Sequence, residues 1–167
     1  MGHGIWTGFA RISAAALLGY TVTAMPALAA QESTSFTVSM TVQKVCSVQT
    51  TAMAFGVYTG AQLNGTGTVT VTCTNTTAFQ IDIDYGMNSG GQTFNRTMIG
   101  PGGALLPYQV YKDGAHMIRW GGTSESDTPA GCGNGNPQVF TAYGQVMPNH
   151  LLAPGAYTDT LTVAVYY

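Results

Sequence analysis

The chain has 167 residues, and only 7% of them are charged, with seven acidic residues against five lysines and arginines. About a quarter is usual for soluble cytoplasmic domains, so this composition favours a surface that packs against other protein. The basic residues form no cluster, which excludes a nucleic-acid-binding face, because phosphate neutralisation needs concentrated positive charge.

The first thirty residues have the pattern of an export signal. Arg11 is the only charged residue before Glu32, residues 12–22 form an apolar core, and Pro26 is followed by small residues at 27–30 suited to signal peptidase. The apolar core is too short for a hydrocarbon layer that needs about 20 residues. We therefore predict a cleaved signal peptide over residues 1–30 and a single exported domain after it.

Strand patterns follow the signal, and no window of eleven residues keeps the helical period. The predicted strands occupy residues 36–42, 66–74, 79–85, 105–111, 117–120, 139–147 and 157–167. Glycine-rich segments 86–103 and 121–137 are predicted to be long connections. Many short strands separated by turn residues indicate an all-β sandwich or barrel.

The first strand pattern places Phe36, Val38, Met40 and Val42 on one face. Burying each large apolar side chain is worth about 1.5–3 kcal/mol, so this face must be covered. It either joins its own sheet or fills a groove in another subunit. Because the sequence ends inside a strand pattern, a sandwich lacking one strand would explain both ends.

Three cysteines in an exported chain imply one disulfide and one remaining thiol. Cys46 and Cys73 lie in or beside strand patterns, whereas Cys132 lies in a loop of glycine, asparagine and proline. We therefore predict a disulfide between Cys46 and Cys73.

Candidates for catalysis or ligand binding are weak, and we expect no enzyme, cofactor or metal. His116 and His150 are expected to be exposed loop residues, and Asp82 and Asp84 solvated carboxylates on the outer side of a strand. Asp113, Glu125 and Asp127 could form a calcium site if their loops approached each other. A sugar-binding platform could be formed by the aromatic residues Tyr108, Tyr111, Trp120 and Tyr143. Lone acidic loop residues lack the spacing of a calcium loop, and strand aromatics are more often core residues.

Several short motifs, in this order and spacing, resemble the spore coat protein U domain family, which is shared with subunits of archaic Csu-type chaperone-usher pili. They are Cys46-Ser-Val48, Phe55-Gly-Val-Tyr58, Val71-Thr-Cys-Thr74, Arg96-Thr-Met98, Tyr108-Gln-Val-Tyr-Lys-Asp113, Trp120-Gly121, Tyr143-Gly144 and Pro154-Gly-Ala-Tyr-Thr-Asp-Thr-Leu-Thr-Val163.

The resemblance implies an incomplete immunoglobulin-like β-sandwich completed by donor-strand exchange. Residues 31–45 would then be the donor extension and residues 46–167 the domain, with Phe36, Val38, Met40 and Val42 entering the next subunit. Its implied partners are identical or related pilin subunits, a periplasmic chaperone and an outer-membrane usher. The product would be a surface pilus, or fimbrium, with roles in cell adhesion and biofilm formation.

Two alternatives remain open at this point. One is a secreted spore coat or matrix protein that inserts its own N-terminal strand, and the other is a carbohydrate-binding or surface-binding module. The chain length leaves no room for the additional binding domain expected of a tip adhesin, which favours a shaft or minor subunit. Cys132 has no place in the family pattern.

Overall fold

The structure is a computed structural model that describes residues 29–90, 96–121 and 127–167. The chain divides into two compact units, Met1–Ser39 and Met40–Tyr167. In the first unit, residues 29–39 are exposed and have no regular secondary structure. Across the described ranges, no helix has both the length and the apolar character required to cross a membrane.

The second unit contains eight strands in two antiparallel sheets. In chain order they are β1 (Cys46–Thr50), β2 (Leu63–Cys73), β3 (Ala78–Ile83), β4 (Arg96–Ile99), β5 (Leu105–Tyr111), β6 (Ala130–Cys132), β7 (Gln138–Val146) and β8 (Val163–Tyr166). One sheet has the order β1-β2-β7-β5-β4 and the other β6-β3-β8. Within the described residues, the helical content is one 3-10 turn, Pro101–Gly103. The predicted all-β, immunoglobulin-like class is confirmed.

The core lies between the inner faces of the two sheets. In β2, Val69 and Val71 are buried while Thr70 between them is partly exposed, as the two-residue period requires. In β3, Ile81 and Ile83 are buried in the same alternating way. The Trp120 indole is fully buried among them, and its Nε1 donates a 3.0 Å hydrogen bond to the Ile81 carbonyl.

Arg96 at the start of β4 is a buried cation that joins separate parts of the core. It donates to the carbonyl oxygens of Ile83 at 2.7 Å, Asp84 at 2.9 Å and Trp120 at 2.7 Å. The Tyr85 ring lies 5.4 Å from its guanidinium carbon. The planar fork of arginine suits several fixed acceptors at once, so Arg96 links β3, β4 and the segment that carries Trp120.

Two strands lie within segments that the sequence predicted to be connections. Strand β4 falls inside the glycine-rich stretch 86–103, and β6 falls inside 121–137. Strand β6 has only three residues and pairs with the edge of β3. In both cases the strand is too short for two-residue alternation to stand out from its glycine-rich surroundings.

Two predicted strands are absent from the structure. Residues 117–120 form no strand, and Arg119 makes only an isolated bridge with Tyr111, because Asp113 Oδ1 accepts the amide of Ile118 at 2.7 Å and holds the segment in a turn. Residues 36–42 belong to no β ladder. An alternating pattern predicts which residues share a face, but a strand also requires a neighbour for its backbone groups.

Candidate functional site

An open cleft of about 380 Å³ lies where an edge of one sheet approaches an edge of the other. Strand β1 with the following residues borders one side, and the segment leading into β8 borders the other. Lining residues are Thr50, Thr51, Ala52, Met53, Phe55, Gly67, Thr68, Val69, Ile83, Met98, Tyr108, Val110, Ala142, Tyr157, Thr158, Asp159, Thr160, Leu161 and Val163. We call this cleft the groove.

The groove exposes part of the core because a cover is lacking there. Val110 and Ile83, both buried core residues, line the groove. Strands at a sheet edge present unpaired backbone groups that can bind another strand. The groove therefore offers apolar contacts and backbone hydrogen bonds together.

The segment that leads into β8 is hydrogen-bonded to the domain along one side. Its even-numbered residues bond to the rest of the domain: Thr158 exchanges bonds with Ile99 at 2.9 and 3.0 Å, and the Thr162 carbonyl accepts from Asp84 at 3.0 Å. Because backbone groups alternate along a strand, those of Asp159 and Leu161 face the open side.

Asp159 is the charged residue in this wall, within the described ranges. Its Oδ2 accepts a 2.8 Å hydrogen bond from the Tyr108 hydroxyl, and its Oδ1 accepts 2.9 Å bonds from the Asn88 amide and the Thr160 backbone. Burial raises the pKa of Tyr108, and the bond to Asp159 raises it further. Tyr108 therefore stays a protonated donor, and Asp159 is the only charged residue lining the groove within the described ranges.

Met53 and Phe55 cover the end of the groove nearest β7 because glycine lies beneath them. A Cβ atom added to Gly144 would come within 2.1 Å of Met53 Sδ and 2.6 Å of Phe55 Cζ. The Phe55 ring also packs edge-on against Tyr108, with centroids 6.0 Å apart. The absence of a side chain at Gly144 thus sets how far the groove extends.

The predicted donor residues Phe36, Val38, Met40 and Val42 are 87, 82, 86 and 73% exposed. Their donor role stays a prediction, as do the boundaries 1–30, 31–45 and 46–167. The signal peptide also stays a prediction, because residues 1–28 lie outside the described part of the chain.

The disulfide between Cys46 and Cys73 is confirmed and joins β1 to β2 at directly paired positions. Strand β1 forms one border of the groove, so this bond fixes that border to the sheet. Cys132 is a free, exposed cysteine.

The two histidines are not exposed loop residues as predicted. His116 is half-buried, with its ring 5.2 Å from Tyr111 and 6.3 Å from Tyr143. His150 is half-buried beside Tyr58, at a centroid distance of 6.5 Å. Their loops fold back onto aromatic side chains, which a sequence pattern of turn residues does not reveal.

The carboxylates considered as ligands have structural contacts. Asp84 Oδ1 accepts the backbone amides of Gly86 at 3.0 Å and Thr162 at 2.9 Å. Asp82 and Asp84 are both half-buried rather than solvated. Of the three acidic residues weighed as calcium ligands, Glu125 lies outside the described residues. Among the residues that the structure describes, no group of three His, Cys, Asp or Glu side chains could hold a metal ion.

The aromatic residues considered as a sugar platform do not share a surface. Tyr108, Tyr111 and Trp120 are buried and Tyr143 is half-buried, so packing rather than ligand binding accounts for three of them. Asp159 was not predicted from the sequence to be a groove residue. The sequence does mark it, because Asp159 is the one charged residue on the strand face that also carries Tyr157, Leu161, Val163 and Val165.

Comparison with solved structures gives matches to pilus proteins. One is the crystal structure of the CsuC-CsuE chaperone–tip adhesion subunit pre-assembly complex from archaic chaperone-usher Csu pili of Acinetobacter baumannii, with a TM-score of 0.55 and 22% identity. The match covers 76% of this chain and 41% of that chain, so this chain spans about two fifths of the neighbour's length. At this identity the similarity concerns the fold.

A second similar structure is the Escherichia coli Hda pilus minor tip subunit HdaB, with a TM-score of 0.35 and 17% identity over 71% of this chain and 79% of that chain. No curated protein matches the sequence. The family model of the Spore Coat Protein U domain matches residues 32–164, which is most of the chain. The chain therefore belongs to the Spore Coat Protein U domain family.

Proposed function

We propose that the protein is a structural subunit of a chaperone-usher pilus, whose groove is completed by the N-terminal segment of a neighbouring subunit. The observation that carries this proposal is the groove between two sheet edges, where core residues such as Val110 and Ile83 line an open cleft. A strand added there would pair with backbone on each side and place alternate side chains in the cleft, as in β-augmentation.

Residues 36–42 have the properties that this groove requires. Seven residues in extended conformation span about 23 Å, and their four apolar side chains lie on one face. All four are exposed in the subunit, and burying each would stabilise the complex by about 1.5–3 kcal/mol. The intervening Thr37, Ser39 and Thr41 are small and polar, which suits the outward face of an inserted strand.

Such pairing joins the N-terminal segment of one subunit to the groove of the next and does not close on itself, so it produces a filament. Before assembly, a periplasmic chaperone would cover the groove, and an outer-membrane usher would exchange the chaperone for the incoming subunit. The similar Csu structure is itself a complex of a chaperone with a tip subunit. Adhesion and biofilm formation would be properties of the assembled surface fibre.

The test is a pair of double substitutions in the full chain, expressed with its chaperone and usher. Val38→Asp with Met40→Asp places carboxylates on the donor face, whereas Thr37→Asp with Ser39→Asp places them on the opposite face. Pili from the parent and the second variant should run as a ladder in unboiled gels and collapse to monomer on heating. The first variant should be exported but should form no ladder.

A normal ladder from the Val38→Asp, Met40→Asp variant would show that residues 36–42 are not the donor strand. A stable monomer in which these residues fill the subunit's own groove would instead establish the self-complemented coat-protein alternative.

A further inference from the structure

We infer that Lys44 of the incoming subunit pairs with Asp159 of the receiving subunit, and that this pair sets the direction and register of the inserted strand. The inference rests on the proposed function, because it specifies how a second copy of this chain occupies the groove.

The receiving side holds one negative charge in a wall of otherwise uncharged residues. Asp159 is the only charged lining residue in the described ranges, and the hydrogen bonds to it come from Tyr108, Asn88 and Thr160, which are all neutral donors. An inserted strand would remove this carboxylate from water. A charge buried at an interface is costly unless an opposite charge accompanies it.

The donor side offers that opposite charge at the correct spacing. Lys44 follows Val42 by two residues and therefore continues the face formed by Phe36, Val38 and Met40. Its side chain is exposed. Val45, the next residue, is already tied to its own domain, since its carbonyl accepts the Thr74 amide at 2.9 Å. Lys44 is thus the last residue of the segment free to enter a neighbour.

Placing Lys44 opposite Asp159 in an antiparallel strand determines the rest of the register. Val42 then faces Leu161, Met40 faces Val163 and Val38 faces Val165. Each receiving residue in this set is half-buried and shares the inner face with Asp159.

Two other alignments keep the same faces together but fit the charges less well. An antiparallel register shifted by two residues places Val42 against the Asp159 carboxylate. A parallel strand that starts at the same point places Phe36 there. In both alignments an apolar side chain covers a charge that has no cationic partner, which favours the alignment through Lys44.

Cysteine pairs in the full chain distinguish the three alignments. Leu161→Cys is combined in turn with Val42→Cys, Met40→Cys or Val38→Cys, with Cys132→Ser in every case to remove the free thiol. Residues directly opposite in neighbouring strands are close enough for a disulfide. After boiling without reductant, the Val42→Cys pair should keep a covalent ladder, and the other two pairs should give monomers.

The other outcomes of the cysteine experiment would overturn this inference, alone or together with the proposed function. A covalent ladder from Met40→Cys would establish the shifted register and one from Val38→Cys the parallel strand, and either would overturn this inference while leaving strand exchange intact. If no pair cross-links and unboiled pili of the parent chain also lack a ladder although that chain is exported normally, the proposed function fails with it. An unboiled ladder with no cross-link from any pair would overturn the inference alone.

The charge is tested separately with single substitutions. Lys44→Glu places two carboxylates together and should reduce the amount of polymer by about tenfold or more, because a like-charge contact at an interface costs several kcal/mol and about 1.4 kcal/mol is a factor of ten. Gln43→Glu places a carboxylate on the opposite face and should leave the amount unchanged. Equal amounts from both variants would show that Lys44 has no electrostatic role in the groove.

Discussion

The Tyr108 hydroxyl donates a 2.8 Å hydrogen bond to Asp159 Oδ2, and this bond connects the two sheets at the wall of the groove. Tyr108 belongs to β5 in the five-stranded sheet, whereas Asp159 precedes β8 in the three-stranded sheet. Because Tyr108 is buried and its pKa is raised, it remains a protonated donor at neutral pH. The bond therefore ties the segment that leads into β8 to the five-stranded sheet.

Tyr108→Phe should lower the free energy of unfolding by about 1.5–3 kcal/mol, the range for hydrogen bonds to charged groups. The ring contacts with Phe55 are retained, so the loss reports the hydroxyl alone. Urea unfolding of the purified subunit measures this effect. Tyr143→Phe makes the same chemical change without a carboxylate partner and should cost less than half as much, and equal losses from both variants would contradict the role assigned to the Tyr108–Asp159 bond.

Arg96→Met should destabilise the subunit by at least about 3 kcal/mol. The substitution leaves the carbonyls of Ile83, Asp84 and Trp120 buried without their donor, and each unsatisfied buried group costs about 1–3 kcal/mol. Thermal unfolding followed by circular dichroism provides the measurement. Arg119→Met, at an exposed position in the described structure, is the control. A loss below about 1 kcal/mol at Arg96 would mean that water or repacking satisfies these carbonyls.

Removing the disulfide with Cys46→Ala and Cys73→Ala should cost about 3–4 kcal/mol in the chain-entropy model, given its sequence separation of 27 residues. Strand β1 is an edge strand, so the loss should appear first as faster amide exchange in β1 and in its groove border. Hydrogen exchange and urea unfolding measure both effects. Cys132→Ser should change neither, because Cys132 is free and exposed. Unchanged exchange in β1 would contradict the view that the bond fixes this border.

The sequence alone predicted the parts of the fold that depend on local alternation. Strands β2, β3, β5 and β7 contain enough consecutive residues for buried and exposed positions to alternate visibly. Strand β4 was missed because its first three residues are all buried, so they do not alternate, and because glycine-rich segments surround it. Its pairing with β5, and not its own sequence pattern, makes it a strand.

The groove was only partly predictable for a different physical reason. The apolar face of residues 36–42 indicated a strand that needs a cover. Which edges border the gap depends on the sheet order, in which β1 and β8 are edge strands, and a local pattern contains no information on that order. The bond between Tyr108 and Asp159 joins residues 51 positions apart and could not be inferred before the topology was known.

Asp82→Asn should stabilise the subunit at neutral pH. Burial raises the pKa of Asp82 above 3.8, and repulsion from Asp84 raises it further, although the charge of Arg96 opposes both. A carboxyl with a raised pKa binds its proton more tightly in the folded state. The stability of the parent chain should therefore fall as pH rises from about 3.8 through the folded pKa, and asparagine removes this loss.

Asp113→Asn provides a control of opposite sign. Backbone hydrogen bonds, chiefly from Ile118, lower the pKa of Asp113 below 3.8, so its ionised form stabilises the folded state above that pH and the contribution is lost as pH falls through the lowered value. Urea unfolding between pH 3 and pH 7 should show Asp82→Asn gaining on the parent chain as pH rises, and Asp113→Asn losing. If both variants move in the same direction with pH, the unfolded state rather than these two local environments controls the titration.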